Sequence, residues 1–213
     1  MKSASLFVIP LIALFSLNTQ AKDKNQFAYY GVSAKYHKYS DLNFTPDISS
    51  AELAPLTLTE TLQSPGLRLL AGYQLNRYLA IEGGITKFGK ADFSVSEKSK
   101  NADGKNITTK LHSGAFKTLG ADLMLVATYP FSNTFFVKGV VGVQGWDNSF
   151  SYLIEENDSY NLNKKDEQGA SLKTGVGVGF GLSKSMALTI DFENTKIAGV
   201  NTNSVGVNCL LRF

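Results

Sequence analysis

The sequence predicts an all-β protein that folds as an eight-stranded antiparallel up-and-down transmembrane β-barrel, preceded by a cleaved signal peptide. Two observations lead to this fold class. Apolar residues recur with a period of two rather than 3.6, and a period of two is the period of a β-strand. Short turns also alternate with long polar connections, which is typical of membrane barrels with tight turns at one end and loops at the other.

Residues 1–21, MKSASLFVIPLIALFSLNTQA, have the composition of a secretory signal peptide. Lys2 gives a basic start, and small residues, Thr19 and Ala21, precede the expected cleavage site. The apolar stretch between them has about a dozen residues, fewer than the roughly 20 that a membrane-spanning helix needs. We therefore expect cleavage after Ala21 and a barrel domain over residues 22–213.

The first four strands are predicted where the period-two pattern is clear. They read FAYYGVSAKY, GLRLLAGY, LAIEGGITKF and FKTLGADLMLVAT, at 27–36, 66–73, 79–88 and 116–128. The second and third are joined by QLNRY, in which Asn is a typical turn residue. The polar stretches 37–65 and 89–115 are predicted to be long loops.

The last four strands read FFVKGVVGVQGW, ASLKTGVGVGFGL, MALTIDFEN and NSVGVNCLLRF, at 135–146, 170–182, 186–194 and 203–213. YPFSNT and SKS form short turns in this half, and 147–169 is predicted to be a third long loop. In a compact soluble domain, three loops of this length would count against the strand assignment. They favour a membrane barrel instead, in which one end carries long loops.

Each predicted strand has an apolar face and a polar face, and the charges collect on the polar one. The charged positions are Arg68, Glu82, Asp122, Lys138, Lys173, Asp191, Glu193 and Arg212. In a soluble barrel these charges would face water. In a membrane, Arg or Lys at mid-bilayer would cost ~2–4 kcal/mol each, so the charges must face the barrel lumen. Neighbouring strands then suggest the ion pairs Arg68–Glu82, Asp122–Lys138, Lys173–Asp191 and Glu193–Arg212.

Aromatic residues concentrate near the strand ends, as in the two interfacial girdles of membrane barrels. At the short-turn end they are Tyr73, Tyr78, Tyr129, Phe131, Phe135 and Phe213. At the other end they are Tyr36, Phe88, Phe116, Trp146 and Phe192.

Composition excludes some function classes. The net charge of +3 is too small to indicate nucleic-acid binding, and no basic cluster accompanies it. Cys209 is the only cysteine, so no internal disulfide can form. The sequence contains neither a phosphate-binding loop nor a zinc-ligand spacing, and we expect no cofactor and no metal.

Three segments give the chain its resemblance to a known family: GYQLNRYLAIEGGITKFG (72–89), FFVKGVVGVQGW (135–146) and the closing VGVNCLLRF. The chain resembles the OmpA/OmpX-like family of eight-stranded barrels, which carry an outer membrane protein β-barrel domain. The resemblance implies the outer membrane of a Gram-negative bacterium as the location. Because the chain stops at the eighth strand, the peptidoglycan-binding domain of full-length OmpA is not expected.

The resemblance also implies a role for the last strand. In this family the last strand ends in Phe after alternating apolar residues, and the barrel-assembly machinery reads it as an insertion signal. The matching positions here are Val205, Val207, Cys209, Leu211 and Phe213. Cys209 is interpreted as a small apolar residue facing lipid.

Residues suited to catalysis are few. Lipid A deacylases, which are enzymes of this barrel type, need Ser and His two residues apart on one strand, and neither His37 nor His112 has that spacing. Both histidines are expected to be solvated. Asp191 and Glu193 share one strand face, which could suggest acid–base chemistry, but ion pairs with Lys173 and Arg212 inside the barrel explain them better.

The sequence therefore predicts a non-enzymatic barrel with a structural or surface-interaction role, displaying extracellular loops. A small low-conductance, porin-like channel is the alternative, and a lipid-modifying enzyme comes third. The expected partners are outer-membrane lipid or lipopolysaccharide, the barrel-assembly machinery, and an extracellular ligand at loops 37–65, 89–115 and 147–169. No nucleic acid is expected, and the protein is expected to be a monomer.

Overall fold

The computed structural model describes residues 25–40, 42–45, 56–100, 106–156 and 159–213, so the predicted signal peptide lies outside the described residues. The described chain is all β. Its strands are β1 Phe27–Tyr39, β2 Leu56–Thr61, β3 Gln63–Gln74, β4 Leu79–Lys87, β5 Ala91–Lys100, β6 Asn106–Pro130, β7 Phe135–Glu156, β8 Ser159–Gly181, β9 Met186–Ile197 and β10 Val200–Arg212. No helix in these ranges is long and apolar enough to cross a membrane.

Eight of these strands form a closed antiparallel ring in the order β1, β3, β4, β6, β7, β8, β9 and β10. β10 closes the ring by pairing with β1 from Tyr29↔Arg212 to Tyr39↔Thr202. Ring neighbours follow one another along the chain, which is the up-and-down order. Closure leaves no free sheet edge in the ring, as a strand structure in lipid requires. The predicted eight-stranded barrel is confirmed.

The prediction of three long loops is wrong in large part: most of the described residues of 37–65, 89–115 and 147–169 are strand, although residues 40, 42–45, 62 and 89–90 are not. β5 follows β4 and pairs with the same neighbour, β6. β2 pairs with the other edge of β5. β7 and β8 stay paired out to Glu156↔Ser159. The reason is visible in ADFSVSEKSK, where Ala91, Phe93 and Val95 alternate with polar residues. The abundance of polar residues concealed this period-two pattern. We call β2, β5 and the paired outer ends of β6, β7 and β8 the strand extension.

The opposite end of the barrel carries three short turns of one design. Asn76 Oδ1 accepts hydrogen bonds from the backbone N–H groups of Tyr78 (2.8 Å) and Leu79 (3.0 Å). Ser132 Oγ accepts from the N–H of Thr134 (3.1 Å), and Ser183 Oγ accepts from that of Ser185 (3.2 Å). Asn and Ser thus close these turns through local side-chain to backbone bonds.

The outer face of the ring is apolar around its whole circumference. Each ring strand contributes an exposed aliphatic side chain, namely Val32, Leu69, Ile85, Leu123, Val141, Val176, Ile190 and Val207. A continuous apolar surface of this kind is unusual on a soluble monomer and fits a lipid-facing band.

The interior has three layers. Near the short turns lies a small apolar cluster of Tyr29, Leu70, Ala80, Met124, Val126 and Val140. Charged side chains fill the middle. The largest apolar cluster lies at the far end, inside the strand extension: Tyr39, Leu42, Phe44, Phe88, Ala91, Phe93, Val95, Phe116, Trp146, Leu153 and Ile197. We call this last layer the extension core.

Candidate functional site

A continuous series of ion pairs crosses the middle of the barrel. Arg68 on β3 pairs with Glu82 on β4, with Nη1 2.7 Å from Oε1. Its Nη2 lies 2.5 Å from Oδ1 of Asp122 on β6. Lys173 on β8 then contacts the other oxygen of Asp122, with Nζ 3.0 Å from Oδ2. One guanidinium and one ammonium therefore hold carboxylates from two neighbouring strands.

The series continues through β9 to the first strand. Glu193 on β9 lies 3.0 Å from Lys173 Nζ and also pairs with Lys35 on β1. On the same strand, Asp191 pairs with Lys138 of β7 at 2.7 Å. These contacts join β9 to its neighbour β8 and to β7 and β1, each of which lies two strands from β9 in the ring.

The charges of this interior ion-pair network balance. It contains four cations and four anions: Lys35, Arg68, Lys138 and Lys173, with Glu82, Asp122, Asp191 and Glu193. Every member is at most 8% exposed. Buried charges are tolerated when they are paired and become costly when a partner is lost. The network can therefore serve as a neutral plug of the lumen.

Only one of the four ion pairs suggested by the sequence has the expected partners. Arg68 pairs with Glu82, but Asp122 pairs with Arg68 and Lys173, not with Lys138. The register explains the difference. Asp122 is opposite Gln144, whereas Lys138 is opposite Thr128, several residues nearer the short turns. Which charges form an ion pair in the lumen depends on the position of each residue along the barrel axis and on how far its side chain reaches. The order of the strands in the sequence gives neither quantity.

The suggested pair Glu193–Arg212 is wrong. Glu193 is opposite Ser204 on β10, far along that strand from Arg212. Arg212 is exposed near the short-turn end, where its Cζ lies 3.9 Å from the ring centroid of Phe27. The charge at this position therefore faces the barrel mouth and lies outside the ion-pair network.

Two glycines provide the space that these ion pairs need. Gly177 lies in one cross-strand row between Lys138 and Asp191, and a Cβ on it would be 2.3 Å from Asp191 Oδ1. Gly84 lies beside Asp122, and a Cβ there would be 2.6 Å from Arg68 Nε. Long cationic side chains thus cross neighbouring strands because those strands carry no side chain at the crossing.

Substitution of Gly177 by alanine is expected to lower the free energy of unfolding by about 1–3 kcal/mol, because the added methyl group overpacks the Lys138–Asp191 pair. Gly139→Ala is the matched control, since a Cβ at Gly139 meets no atom within 4 Å. Urea unfolding of both variants in detergent measures the difference. Equal midpoints for the two variants would contradict this role of Gly177.

Sequence reasoning missed Lys35, although its signal was present. Ser33, Lys35 and His37 alternate with outward residues such as Ala34 and Tyr36, so Lys35 belongs to the inward face of β1. The period-two alternation of β1 therefore carries the signal that places Lys35 inside the barrel.

The histidines differ from expectation in one case. His37 was expected to be solvated, but it is buried, and its Nδ1 lies 2.7 Å from Ser204 Oγ on the neighbouring strand. Its ring also packs against Phe88, with centroids 4.7 Å apart. Ser204 is only 5% exposed, so this Ser–His contact has no evident access for a substrate. His112 is half-buried on the outer part of β6.

The extension core is closed by aromatic contacts from a segment outside the sheet. Phe44 is fully buried, and its ring lies 4.7 Å from Phe93 and 5.5 Å from Phe150, centroid to centroid. The carbonyl oxygen of Phe44 accepts a hydrogen bond from the N–H of Leu153 on β7 (2.8 Å). Residues 42–45 therefore cross to β7 and cover the far end of the barrel.

The predicted aromatic girdle at this end is wrong in part. Phe88, Phe116 and Trp146 point inward and belong to the extension core. Tyr36 and Phe192 are exposed on the outer face. At the short-turn end five of the six aromatics are exposed: Tyr78, Tyr129, Phe131, Phe135 and Phe213. Tyr73 is half-buried.

The apolar positions of the last strand face outward. Val205, Val207 and Phe213 are exposed, and Cys209 and Leu211 are half-buried. The Phe213 ring packs on Tyr30 of β1, with centroids 5.5 Å apart. The proposed insertion signal therefore lies on the lipid side of the strand that closes the ring.

Open space lies inside the barrel at the short-turn end. A cavity of about 460 Å³ begins there and is bordered by Phe27, Tyr29, Phe136, Glu82 and Lys138. At the level of the ion pairs, the described residues leave a space of only about 10 Å³, beside His37 and Gln144. The cavity therefore ends at the interior ion-pair network.

Two solved structures with a similar fold are those of outer-membrane proteins. Neisserial surface protein A has 11% sequence identity and a TM-score of 0.54, covering 87% of this chain and 97% of its own. The outer membrane protein OprG from Pseudomonas aeruginosa has 13% identity and a TM-score of 0.52, covering 89% and 96%. At these identities the likeness shows the fold alone. No curated protein sequence matches the chain significantly.

The family is shown by the sequence match along the chain. The family model described as "Outer membrane protein beta-barrel domain" matches residues 7–213, which is nearly the whole chain. The ring closure and the apolar outer face agree with that match. The chain belongs to the outer membrane protein β-barrel domain family and is an integral protein of the bacterial outer membrane.

Proposed function

We propose that the protein is a non-enzymatic surface protein whose strand extension forms a rigid platform outside the cell and binds an extracellular partner there. The observation that carries this proposal is the extension core. Its eleven buried apolar residues give the strands beyond the lipid band an interior of their own. Such packing fixes the backbone, and binding sites commonly lie on segments that a rigid scaffold positions.

The strand extension reaches well beyond the lipid band. On β7 the last exposed aliphatic residue is Val143, and the outward residue Asp147 is polar. From Asp147 to the end of the strand at Glu156 the chain is still extended, a length of about 30 Å at the usual rise of a strand. In bacterial barrels the short turns face the periplasm and the longer segments face outward. This rule supports an extracellular position for the extension.

The interior supports a plug more than a channel or an enzyme. The balanced ion pairs occupy the lumen between two apolar layers, which disfavours an aqueous path. The Ser204–His37 contact, which pairs a hydroxyl with an imidazole as a serine nucleophile would require, is buried. We therefore expect the protein to act through its outer surface.

The topology can be tested by cysteine labelling on intact cells. In a Cys209→Ala background, Lys164→Cys on β8 of the strand extension is compared with Ser132→Cys and Ser183→Cys in the short turns; all three positions are exposed. A membrane-impermeant maleimide should label the first and spare the other two. Labelling of the turns alone would invert the topology and overturn the proposal.

Binding is tested by replacing 148–167 of the β7–β8 hairpin with a short Gly-Ser turn. The barrel should remain heat-modifiable, and adhesion of the cells to host surfaces or to neighbouring cells should fall. Unchanged adhesion in every assay in which the wild type adheres would contradict a platform role for this hairpin.

We also propose that the last strand acts as the insertion signal. Phe213→Ala should lower the amount of protein in the outer membrane, while refolding in detergent stays efficient, because the exposed ring contributes little to the finished fold. Phe135→Ala is the matched control, an equally placed aromatic at the same end that is 57% exposed against 67% for Phe213. Equal surface amounts of the two variants would remove the signal role.

A further inference from the structure

A groove of about 920 Å³ crosses the outer wall of the barrel where the lipid band ends. Small residues line part of it, among them Ala34, Pro65 and Gly89. The chain is close-packed at this point, since a Cβ on Gly89 would lie 2.4 Å from the carbonyl oxygen of Pro65. Small residues at these positions leave room for the groove between the larger side chains that border it.

Aliphatic side chains border the groove on both sides of a lysine. Leu67 on β3 is directly opposite Lys87 on β4, and Lys87 is directly opposite Leu119 on β6. Directly opposed residues have their Cβ atoms about 4.5–5.5 Å apart. Leu67 is 59% and Leu119 is 55% exposed on the outer face. The apolar surface of Leu67 and Leu119 thus lies directly beside the ammonium-bearing side chain of Lys87 in the groove.

The outward charges at the groove are mostly positive. They are Lys87, Lys90, Lys117 and Asp147. Lys90 has an exposed ion pair with Asp92 at 2.9 Å, which leaves its ammonium accessible. The remaining charged residue of the lining, Lys35, points inward to Glu193. The lysines lie at the outer end of the run of exposed aliphatic residues Leu125, Leu123 and Leu119 of β6, because Lys117 comes next after Leu119 on the same outer face.

A ligand that fits this arrangement has an acyl chain and a phosphate. The apolar side of the groove faces the hydrocarbon, and the lysines lie at the level of the headgroups, where anionic groups attract them. Lipids surround this face of the barrel in the membrane, so they are its available occupants.

We propose that the groove binds a phosphorylated acyl lipid, with the phosphate held by Lys87, Lys90 and Lys117 and an acyl chain lying along Leu67 and Leu119. The assignment of this lipid to the outer leaflet rests on the proposed extracellular position of the strand extension. Binding itself depends only on the groove.

The test uses the folded barrel in phosphatidylcholine nanodiscs that contain a small fraction of bisphosphorylated lipid A, followed by native mass spectrometry of the released protein. The triple variant Lys87→Gln, Lys90→Gln, Lys117→Gln should retain about tenfold less lipid A than the wild type. The control Lys38→Gln, Lys164→Gln, Lys196→Gln removes the same charge from exposed lysines outside the groove and should retain it.

A second variant keeps the charges and fills the groove. Ala34→Phe should also lower retention, because the ring occupies the apolar part, and its exposed position makes a folding defect avoidable. Dephosphorylated lipid A should bind the wild type as weakly as bisphosphorylated lipid A binds the triple variant. Inorganic phosphate should not compete with lipid A for the groove.

Equal loss in the groove and control triple variants, or full competition by inorganic phosphate, would overturn the lipid site. Nanodiscs offer both leaflets, so this result does not depend on topology. An inverted labelling pattern on cells would instead overturn the proposed platform and leave lipid retention unchanged.

Discussion

Replacing Arg68 with alanine is expected to lower the free energy of unfolding by about 3–5 kcal/mol, the usual cost of leaving buried charges without their partner. Arg68 is 1% exposed and is the ion partner of Glu82; it also shares Asp122 with Lys173. Without Arg68, Glu82 loses its ion partner and keeps, among the described residues, the hydrogen bond donated by the Tyr29 hydroxyl at 3.2 Å. Equilibrium unfolding in urea, in detergent micelles, measures the change.

The control is Lys164→Ala, which removes a lysine whose ion pair with Asp166 is exposed on both sides. Exposed pairs contribute little to stability, so its midpoint should stay near that of the wild type. The double variant Arg68→Met, Glu82→Gln should be more stable than Arg68→Ala, because one uncompensated carboxylate is removed with the cation. If Arg68→Ala and Lys164→Ala unfold alike, the interior charges are solvated and the plug is wrong.

Phe93→Ala is expected to cost about 3–5 kcal/mol locally, the range found for large-to-small changes of buried aromatic residues. Phe93 is 2% exposed and packs directly on Phe44 in the extension core. The effect should be confined to the strand extension, because the ring below it is closed by its own hydrogen bonds. Regions of one protein can open separately in this way.

Hydrogen exchange resolves the two regions. Amides of β5 and the outer part of β6 should lose protection in Phe93→Ala, while those of β4 and β9 keep it. Leu162→Ala, at a 49% exposed position on the outer part of β8, should change neither region. Simultaneous loss of protection in β4 and β9 would contradict an independently packed extension.

The sequence predicts the ring well because the residues of a membrane-spanning strand must alternate between lipid and the barrel interior. Apolar residues outside and polar residues inside give a period of two, and one wrong phase would expose Lys138 or Arg68 to lipid. The position of each ring strand within the lipid band and the burial of seven of the eight marked charges follow from that rule, whereas the outer ends of β6, β7 and β8 do not. Turn residues such as Asn76 and Ser132 set the hairpins.

The sequence does not predict which charged residues form ion pairs with one another inside the lumen. Asp122 meets Lys173 because the barrel brings β6 and β8 within reach at one height, and the order of charges along the chain does not contain that height. The strand extension was missed for another reason. Ser94 and Ser96 made 89–115 look like a loop, although Phe93 and Val95 alternate with them toward an interior that exists only after folding.

We propose that the barrel is closed inside and acts through its outer platform, and planar-bilayer conductance of the purified, refolded protein tests the closed interior most directly. The wild type should show no steady current steps, and Arg68→Ala, which opens the interior ion-pair network, should show more current than the wild type. Regular conductance steps in the wild type, unchanged in Arg68→Ala, would contradict the plug and support a channel.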